Sequence, residues 1–287
     1  MRNPSSEYTT PTEELQTLGV DDVQYETIIV EKESKIATVT INRPEALNTF
    51  TKRMLEEFRF LWKDIAEDDN VHAVVLRAAP GRAFSTGSDV KRSREPGGSI
   101  FHTNVWTSAD PGDSLGPKAN RCWKPVVTAV HGLAAGGAFY WLNESDILIC
   151  SEDAAFFDPH VTYGITAAVE PIGATYRMPL GDVLRMTLLG NDERISAHTA
   201  LRIGLVTEVV PNENLWARAQ ELAEIIAAKP PAAIQGSVRA IWESLDQPRQ
   251  IALQTGLKYC FVGNAAVKEP VDRAAIMGGG KVKFTTR

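Results

Sequence analysis

The sequence contains only three cysteines in 287 residues, and such an odd, widely spaced set cannot build a disulfide framework or a paired-cysteine metal site. The cysteines are Cys122, Cys150 and Cys260. We therefore expect free, buried thiols at these three positions. The histidines also lack the spacing of metal ligands, so no metal ion is expected.

An excess of one charge sign is missing as well, because 30 basic and 36 acidic residues leave a net charge of −6. This balance provides no general attraction to nucleic acid or anionic lipid, and we expect neither a nucleic-acid nor a membrane partner. Only the stretch Pro125–Leu142 approaches the length of a membrane span, and a histidine and three glycines interrupt it. A buried strand, a tight turn and a buried helix explain this stretch better.

The first 24 residues are rich in Ser, Pro, Thr and Glu and show little apolar periodicity, which predicts a flexible N-terminal extension. They contain neither the apolar segment of a secretory signal nor the Arg-rich pattern of an organelle-import sequence. We therefore expect a cytoplasmic protein.

Beyond Tyr25, segments with the hydrophobic periodicity of strands alternate with segments that have the periodicity of helices. Two runs of alternating β-branched residues predict a hairpin, and Thr51–Ala66 predicts an amphipathic helix capped by Thr51. The later segments HAVVLRAA, PVVTAV and DILIC are almost wholly apolar, which is typical of strands covered on both faces. Beyond Pro171 the sequence is mostly helical, with Ser196 as one helix cap. The pattern predicts an α/β fold.

The stretch Arg92–Asn120 has no clean period and is rich in Gly, Pro, Ser and Asp. A connection of this length is either part of a binding site or a solvated insertion. We expect it to form pocket walls together with helix residues near Phe139 and Trp141, whose rings would narrow the pocket or stack on a cyclic substrate.

Two glycine-containing turns are the strongest functional signal. AFSTGSDV at Ala83–Val90 and HGLAAGGAF at His131–Phe139 each follow an apolar strand. Glycine lets backbone N–H groups point into a cavity, and a helix that starts there adds its positive dipole end. Two such turns facing each other would bind the negative charge that develops on a carbonyl oxygen in acyl-transfer or enolate chemistry. Taken singly, each turn is better explained by close packing of helix and strand.

Five segments occur in a fixed order along the chain: INRPEALN, AFSTGSDV, KPVVTAVHGLAAGGAF, AAFFDPHVTYGI and ISAHTALRIGLVTEVV. With these motifs, the chain from about residue 25 to its C-terminus resembles the crotonase, or enoyl-CoA hydratase/isomerase, superfamily. The resemblance implies a spiral core of ββα units at residues 25–210 and a helical trimerisation segment at residues 211–287. It further implies a homotrimer or hexamer that acts on an acyl-CoA.

No permanently bound cofactor is expected, since coenzyme A would be part of the substrate. The sequence has neither the GxGxxG nor the GxxxxGK[ST] motif, so NAD and ATP are not expected either. The resemblance implies that the backbone N–H groups of Ser88 and Gly137 bind the thioester oxygen. The residues it places against coenzyme A are Ala46, Thr86 and Val90, with Lys281 or Lys283 near the phosphates.

Enoyl-CoA hydratases carry two glutamates that this chain replaces, the first by Tyr140 and the second by His160. Tyrosine is a poor base at neutral pH, whereas histidine titrates near neutrality, so we predict that His160 is the acid or base. Glu170 is the next candidate, because family isomerases and C–C hydrolases place an acid in this segment. Asp158 or Tyr140 could instead orient the imidazole, or each could be a structural hydrogen-bonding group.

Three functions are compatible with these residues. The one we favour is enoyl-CoA hydratase or isomerase chemistry on an unusual or bulky acyl group, through an enolate held by Ser88 and Gly137. The second is hydrolysis of a C–C bond in a β-dicarbonyl compound, in which His160 activates water beside Glu170. The third is a non-catalytic CoA-binding scaffold.

Overall fold

The computed structural model of the chain describes residues 24–91, 106, 110–265, 271 and 284–286. The predicted N-terminal extension up to residue 23, most of the predicted 92–120 loop, and Lys281 and Lys283 lie outside the described residues. The chain forms two compact units, one extending to Ala227 and one beginning at Ala228.

Ten strands occur among the described residues, all in the first unit. They are β1 Ile28–Glu33, β2 Ile36–Ile41, β3 Ala73–Ala78, β4 Ala83–Ser85, β5 Val126–Val130, β6 Leu133–Ala135, β7 Ile147–Ser151, β8 Ala155–Phe157, β9 Ile195–Ser196 and β10 Glu208–Val210. The larger sheet has the order β1-β2-β3-β5-β7-β10, and the smaller sheet has the order β4-β6-β8-β9. The pairs β1/β2 and β8/β9 are antiparallel, and all other neighbouring strands are parallel.

From β3 to β8, consecutive strands alternate between the two sheets. The strands β3, β5 and β7 belong to the larger sheet, and β4, β6 and β8 of the smaller sheet follow them within a few residues. The same step from larger to smaller sheet is therefore made three times, which agrees with the predicted spiral of repeated units. It also makes β4, β6 and β8 parallel neighbours, so that the segments following them leave the sheet at a common edge.

Nine α-helices are found among the described residues. They are α1 Lys52–Glu67, α2 Gly112–Leu115, α3 Phe139–Glu144, α4 Val169–Ala174, α5 Leu180–Leu189, α6 Ala197–Arg202, α7 Leu215–Ala227, α8 Pro231–Ser244 and α9 Arg249–Ala265. Both predicted caps are confirmed, because Thr51 accepts a hydrogen bond from the Met54 N–H and Ser196 accepts one from the Thr199 N–H. The short helix α2 lies in the stretch for which the sequence predicted a loop.

The larger sheet is covered on both faces, as its apolar strands predicted. Adjacent residues of β3 point to opposite faces, so Val74 belongs to the main core and Val75 to a second core under α7. The main core is rich in large aromatic side chains: Phe50, Phe58, Trp62, Phe84, Phe139, Trp141 and Phe156. Because α7 packs on the sheet through Leu215 and Ala219, the first unit extends past the division at residue 210 that the sequence predicted.

The second unit contains the helix pair α8 and α9. Arg239 and Glu243 on α8 form an ion pair at 2.8 Å, and the Tyr259 hydroxyl on α9 donates to Glu243. Cys122 and Cys150 are buried as predicted, but the prediction of a buried thiol is wrong for Cys260, which is exposed on α9. The physical reason is that α9 carries apolar residues around much of its circumference, so an apolar neighbourhood in the sequence does not mean burial there. The trimerisation role of this segment stays a prediction.

No helix in the described part of the chain is long and apolar enough to cross a membrane.

Candidate active site

Three of the predicted site segments meet at the edge of the smaller sheet where β4, β6 and β8 end. The strand β4 leads to the turn with Ser88, β6 leads to the turn with Gly137, and β8 leads to His160. Neighbouring parallel strands place their carboxyl ends side by side, and this is where open α/β sheets bind ligands. The fold therefore brings together residues that lie up to 72 positions apart.

The two glycine turns approach each other closely. A Cβ atom on Gly87 would lie 2.8 Å from the Gly137 amide nitrogen, and one on Gly137 would lie 2.5 Å from Phe50 Cε1. Gly87 also has a φ of +83°, in the region that side chains disfavour. The contact between the turns thus requires glycine at both positions.

The Ser88 amide points away from its neighbour Phe50. The Phe50 N–H donates to the Gly87 carbonyl, and the Asp89 N–H donates to the Phe50 carbonyl, which leaves the Ser88 N–H on the opposite edge of the strand. Among the described residues, none accepts a hydrogen bond from this amide. Gly137 is the second residue of the short helical segment Gly136–Ala138, and the first N–H groups of a helix lack intrahelical partners. Two backbone donors are therefore available at the predicted thioester-oxygen site.

An ion pair attaches the first glycine turn to the segment before Phe50. The Arg43 guanidinium lies 3.0 Å from the Asp89 carboxylate and also donates to the Thr49 carbonyl at 2.6 Å. Both charged side chains are mostly buried, at 13% and 11% exposure. The residue that follows Ser88 is thus fixed by a side chain from a different part of the chain.

The residues predicted to contact coenzyme A lie on these two neighbouring segments. The Thr86 N–H donates to the Leu47 carbonyl at 3.2 Å, which places Ala46 near the start of the turn. Val90 is exposed two residues after Ser88. The structure brings Ala46, Thr86 and Val90 to one region of the first unit, and their contact with coenzyme A remains a prediction.

Tyr140 lies one helical turn after Gly137, on α3. Its ring packs edge-on against Phe50, with 6.2 Å between the ring centroids, and its hydroxyl donates to Asp110 Oδ2 at 3.0 Å. Burial is the main cause that raises the pKa of Tyr140, and the carboxylates of Glu170 and Asp110 raise it further. Tyr140 is therefore a hydrogen-bond donor and not a base at neutral pH.

His160 is held by the buried carboxylate of Asp158. Asp158 Oδ1 lies 2.7 Å from His160 Nδ1 and also accepts the His160 backbone N–H at 3.0 Å. A carboxylate on Nδ1 favours the tautomer in which Nε2 is free to accept a proton. The hydrogen bond that His160 donates to Asp158 raises the pKa of His160, while burial opposes the rise. The imidazole is therefore positioned by Asp158 as a candidate proton acceptor at Nε2.

Glu170 reaches the same place from the first turn of α4. Its Oε1 lies 3.8 Å from His160 Nε2, and its side chain is only 9% exposed. Burial is the largest cause that raises the pKa of Glu170, and the nearby His160 opposes it. A Cβ atom on Gly136 would lie 3.4 Å from His160 Cε1, so the His160 and Glu170 pair borders the second glycine turn.

Two polar residues near this site were not predicted from the sequence. Asp110 accepts the Tyr140 hydroxyl, and Asn143 Nδ2 donates to the Glu170 carbonyl at 2.9 Å. The only signal for Asp110 was the turn-forming run DPGD, and Asn143 gave none. The expectation that Phe139 and Trp141 line the pocket is wrong, because both are fully buried in the main core. Their side of α3 faces the core, and Tyr140 between them faces the site.

Comparison with known proteins identifies the family of the chain. The family model described as enoyl-CoA hydratase/isomerase matches residues 31–274, which is most of the chain. The chain belongs to the enoyl-CoA hydratase/isomerase family. Within this family, it is 34% identical over 223 residues to the short-chain-enoyl-CoA hydratase of Clostridium acetobutylicum, covering 75% of this chain and 80% of the relative.

Two further relatives span a larger share of the chain. It is 30% identical over 247 residues to the (E)-benzylidenesuccinyl-CoA hydratase of Thauera aromatica, covering 86% of this chain and 92% of the relative. The crystal structure of an enoyl-CoA hydratase/isomerase from Mycobacterium paratuberculosis has a TM-score of 0.78 and 33% identity, over 92% of this chain and all of that one. The predicted crotonase superfamily and its fold are confirmed.

Proposed function

We propose that this enzyme adds water to a 2-enoyl-CoA with a bulky acyl group, through an enolate whose oxygen is bound by the Ser88 and Gly137 amides. Coenzyme A would lie along the Ala46, Thr86 and Val90 region. Two backbone donors aimed at a developing oxyanion are worth several kcal/mol of transition-state stabilisation in total.

The observation that carries this proposal is the gap between His160 and Glu170. At 3.8 Å, Nε2 and Oε1 are too far apart for a direct hydrogen bond. The same separation allows one water molecule to lie about 2.8 Å from both atoms. The pair would hold a water molecule as the two family glutamates do, with the imidazole in place of one carboxylate.

The proposed reaction conserves protons at each step. His160 Nε2 accepts a proton from the held water, and the water oxygen bonds to C3 of the enoyl group while the electrons move to the thioester oxygen. The carboxyl group of Glu170 then gives its proton to C2. Transfer of the proton from the His160 imidazolium to the Glu170 carboxylate restores both groups. Asp158 stabilises the imidazolium between these steps.

A bulky acyl group is supported by a relative and by the surface beside His160. The Thauera aromatica relative is named for an aryl-substituted enoyl-CoA. In this chain, the apolar side chains of Tyr163 and Ile165 follow His160 closely and are exposed. An acyl group larger than crotonyl would cover them, which would add apolar burial to the binding free energy.

Incubation with substrates in heavy-oxygen water, followed by mass spectrometry, tests the proposal. The panel comprises crotonyl-CoA, a 3-phenyl-substituted 2-enoyl-CoA, a 3-enoyl-CoA and a β-diketone. We expect one heavy oxygen atom in an intact 3-hydroxyacyl-CoA, with a higher kcat/KM for the phenyl-substituted substrate. A shifted double bond without heavy oxygen would instead identify an isomerase, and no turnover of any substrate would favour the scaffold.

Hydrolysis of a C–C bond is the second candidate, and the 2.7 Å contact between Asp158 and His160 favours it. A carboxylate-oriented imidazole is a strong general base, and the enolate released by C–C cleavage would need the same two amides. In the heavy-oxygen experiment, this reaction would yield two fragments, one carrying a labelled carboxylate.

A further inference from the structure

Asn143 on α3 contacts the chain on both sides of the short helix α4. Its side-chain Nδ2 donates to the Glu170 carbonyl at 2.9 Å, in the first turn of α4. Its main-chain carbonyl accepts from the Arg177 guanidinium, which follows the end of α4, with Nη2 at 3.0 Å and Nε at 3.2 Å. One residue of α3 therefore holds the chain at the beginning of α4 and just after its end.

The contact between Asn143 and α4 requires glycine at position 173. A Cβ atom on Gly173 would lie 2.4 Å from Asn143 Nδ2 and 2.9 Å from Asn143 Cγ. Gly173 lies within α4 and has no positive φ, so its backbone conformation would suit any helical residue. Glycine is needed there for the space that the Asn143 amide occupies.

The chain that leads into α4 gives this helix little support of its own. The helix has six residues, and Ala168 at its N-terminus makes no side-chain capping hydrogen bond. The residues from 161 to 169 are exposed, except for residue 167, which is half-buried. Because so short a helix is marginal without tertiary contacts, the place of Glu170 depends on the contacts of α4 with its neighbours.

The two ends of the Asn143 amide are not equally satisfied. Nδ2 has the Glu170 carbonyl as its acceptor, whereas Oδ1 is buried and has no hydrogen-bond partner among the described residues. A buried acceptor without a partner destabilises a fold, so an apolar residue at position 143 would remove this cost together with the donor. The contribution of the amide therefore lies in its contact with Glu170 more than in global stability.

We propose that Asn143 is a positioning residue, which holds the first turn of α4 against α3 and thereby sets the 3.8 Å separation between Glu170 Oε1 and His160 Nε2. The inference rests on the proposed function only for the effect on turnover. Because α3 begins two residues after Gly137, Asn143 joins the carboxyl group of Glu170 to the helix that continues from one of the two amide donors.

Crystal structures of the natural protein and of Asn143→Ala test the proposal without turnover. In the variant, we expect the first turn of α4 to move away from α3 and Glu170 Oε1 to lie farther than 3.8 Å from His160 Nε2. The control Asn70→Ala makes the same change at an exposed asparagine whose main-chain N–H donates to Asp68, and it should leave the separation unchanged. An unchanged or shorter separation in Asn143→Ala overturns the proposal.

Gly173→Ala tests the same contact from the side of α4, and it also serves if Asn143→Ala does not fold. The added Cβ displaces the Asn143 amide, so we expect the separation between Glu170 Oε1 and His160 Nε2 to lengthen as well. Gly181→Ala is the matched control, because it adds a methyl group to the helix α5 where no atom lies within 4 Å. An unchanged separation in folded Gly173→Ala contradicts the role of Asn143.

The double variant shows whether Gly173 acts through Asn143. Once Asn143→Ala has removed the amide, the methyl group of Gly173→Ala has room and should cause little further lengthening. A further lengthening as large as that in the natural background would overturn the contact as the cause.

Turnover shows whether the separation matters to the reaction. If the natural protein hydrates an enoyl-CoA, Asn143→Ala should lower kcat by about 10²-fold, the loss that a misplacement of about 1 Å can cause, and leave KM nearly unchanged. In the Glu170→Gln background, Asn143→Ala should lower kcat little further, since the carboxyl group that it positions is gone. Equal losses in both backgrounds would contradict a role through Glu170.

The structural and kinetic results separate this inference from the proposed function. If no substrate is hydrated but the separation lengthens in Asn143→Ala, the proposed function fails and the positioning role stands. If a substrate is hydrated and the separation is unchanged, the positioning role fails and the proposed function stands.

Discussion

Ser88 and Gly137 contribute main-chain N–H groups to one half of the candidate site, whereas Tyr140, His160 and Glu170 contribute side chains to the other half. The backbone half is fixed by buried structure, including Phe50 against Gly137 and the ion pair of Arg43 with Asp89. The side-chain half is held by hydrogen bonds between short segments near exposed residues.

This difference means that the two halves tolerate sequence change differently. A backbone donor depends on the path of the main chain, so many side-chain changes leave it in place. An acid or base depends on one side chain and its neighbours, so a single replacement alters the chemistry. The resemblance described in the sequence analysis implies that this chain keeps the family's glycine turns and replaces both glutamates, a pattern that this distinction would explain.

The largest expected effect comes from removing the imidazole. His160→Gln should lower kcat/KM by roughly 10² to 10⁴, because it removes a general acid or base. Binding of a saturated acyl-CoA, measured by calorimetry, should be nearly unchanged, since the backbone half remains. The control His198→Gln alters an exposed histidine on α6 and should leave kcat/KM unchanged. If His160→Gln turned over substrate as fast as the natural protein, His160 would not be the acid or base of the reaction.

A change in the backbone half should have the next largest effect. Gly87→Ala places a Cβ atom 2.8 Å from the Gly137 nitrogen and strains a φ of +83°, so the two turns must separate. We expect kcat to fall by about 10² to 10³, the loss typical of one missing oxyanion donor. Gly181→Ala is the matched control, because no atom lies within 4 Å of its added Cβ. Circular dichroism must show both variants folded, and near-normal turnover by Gly87→Ala would contradict the two-amide site.

Breaking the ion pair behind Ser88 should have a moderate effect. Asp89→Asn leaves the mostly buried Arg43 guanidinium with a weaker partner, and we expect stability to urea to fall by about 1–3 kcal/mol. The control Glu193→Gln weakens the exposed pair with Arg185 and should cause no measurable change. If both variants lost the same stability to urea, burial would not increase the contribution of the Arg43–Asp89 ion pair to stability.

The smallest expected effect is a pH-dependent contribution of His160 to stability. Asp158 raises the pKa of His160 in the folded state above the ordinary 6.5. The folded state therefore binds this proton more tightly, and the added stability is full below pH 6.5 and is lost as pH rises through the folded-state pKa. The free energy of unfolding of the natural protein relative to His160→Gln should therefore decline as the pH rises through that range. A difference that grows with pH would contradict the raised pKa.

Much of the fold could be predicted because local patterns encode it. Thr51 and Ser196 cap their helices as expected, and the uniformly apolar strands lie in a sheet covered on both faces. Predictions from these local patterns were wrong where the burial of a side chain depends on neighbours that are distant in the sequence. The thiol of Cys260 is exposed, and Phe139 and Trp141 lie in the core instead of the pocket.

The sequence by itself determined the α/β class, the family and the two glycine turns, because these follow from periodicity and from short motifs whose spacing is visible in one dimension. Only the tertiary structure decided that Asp110, Tyr140, His160 and Glu170 lie together. These residues come from four segments, and their proximity arises from parallel strands that end at one edge and from glycines that permit close contact. Hydrogen bonds and pKa shifts act over a few ångströms, so the acid–base chemistry depends on distances that no linear pattern contains.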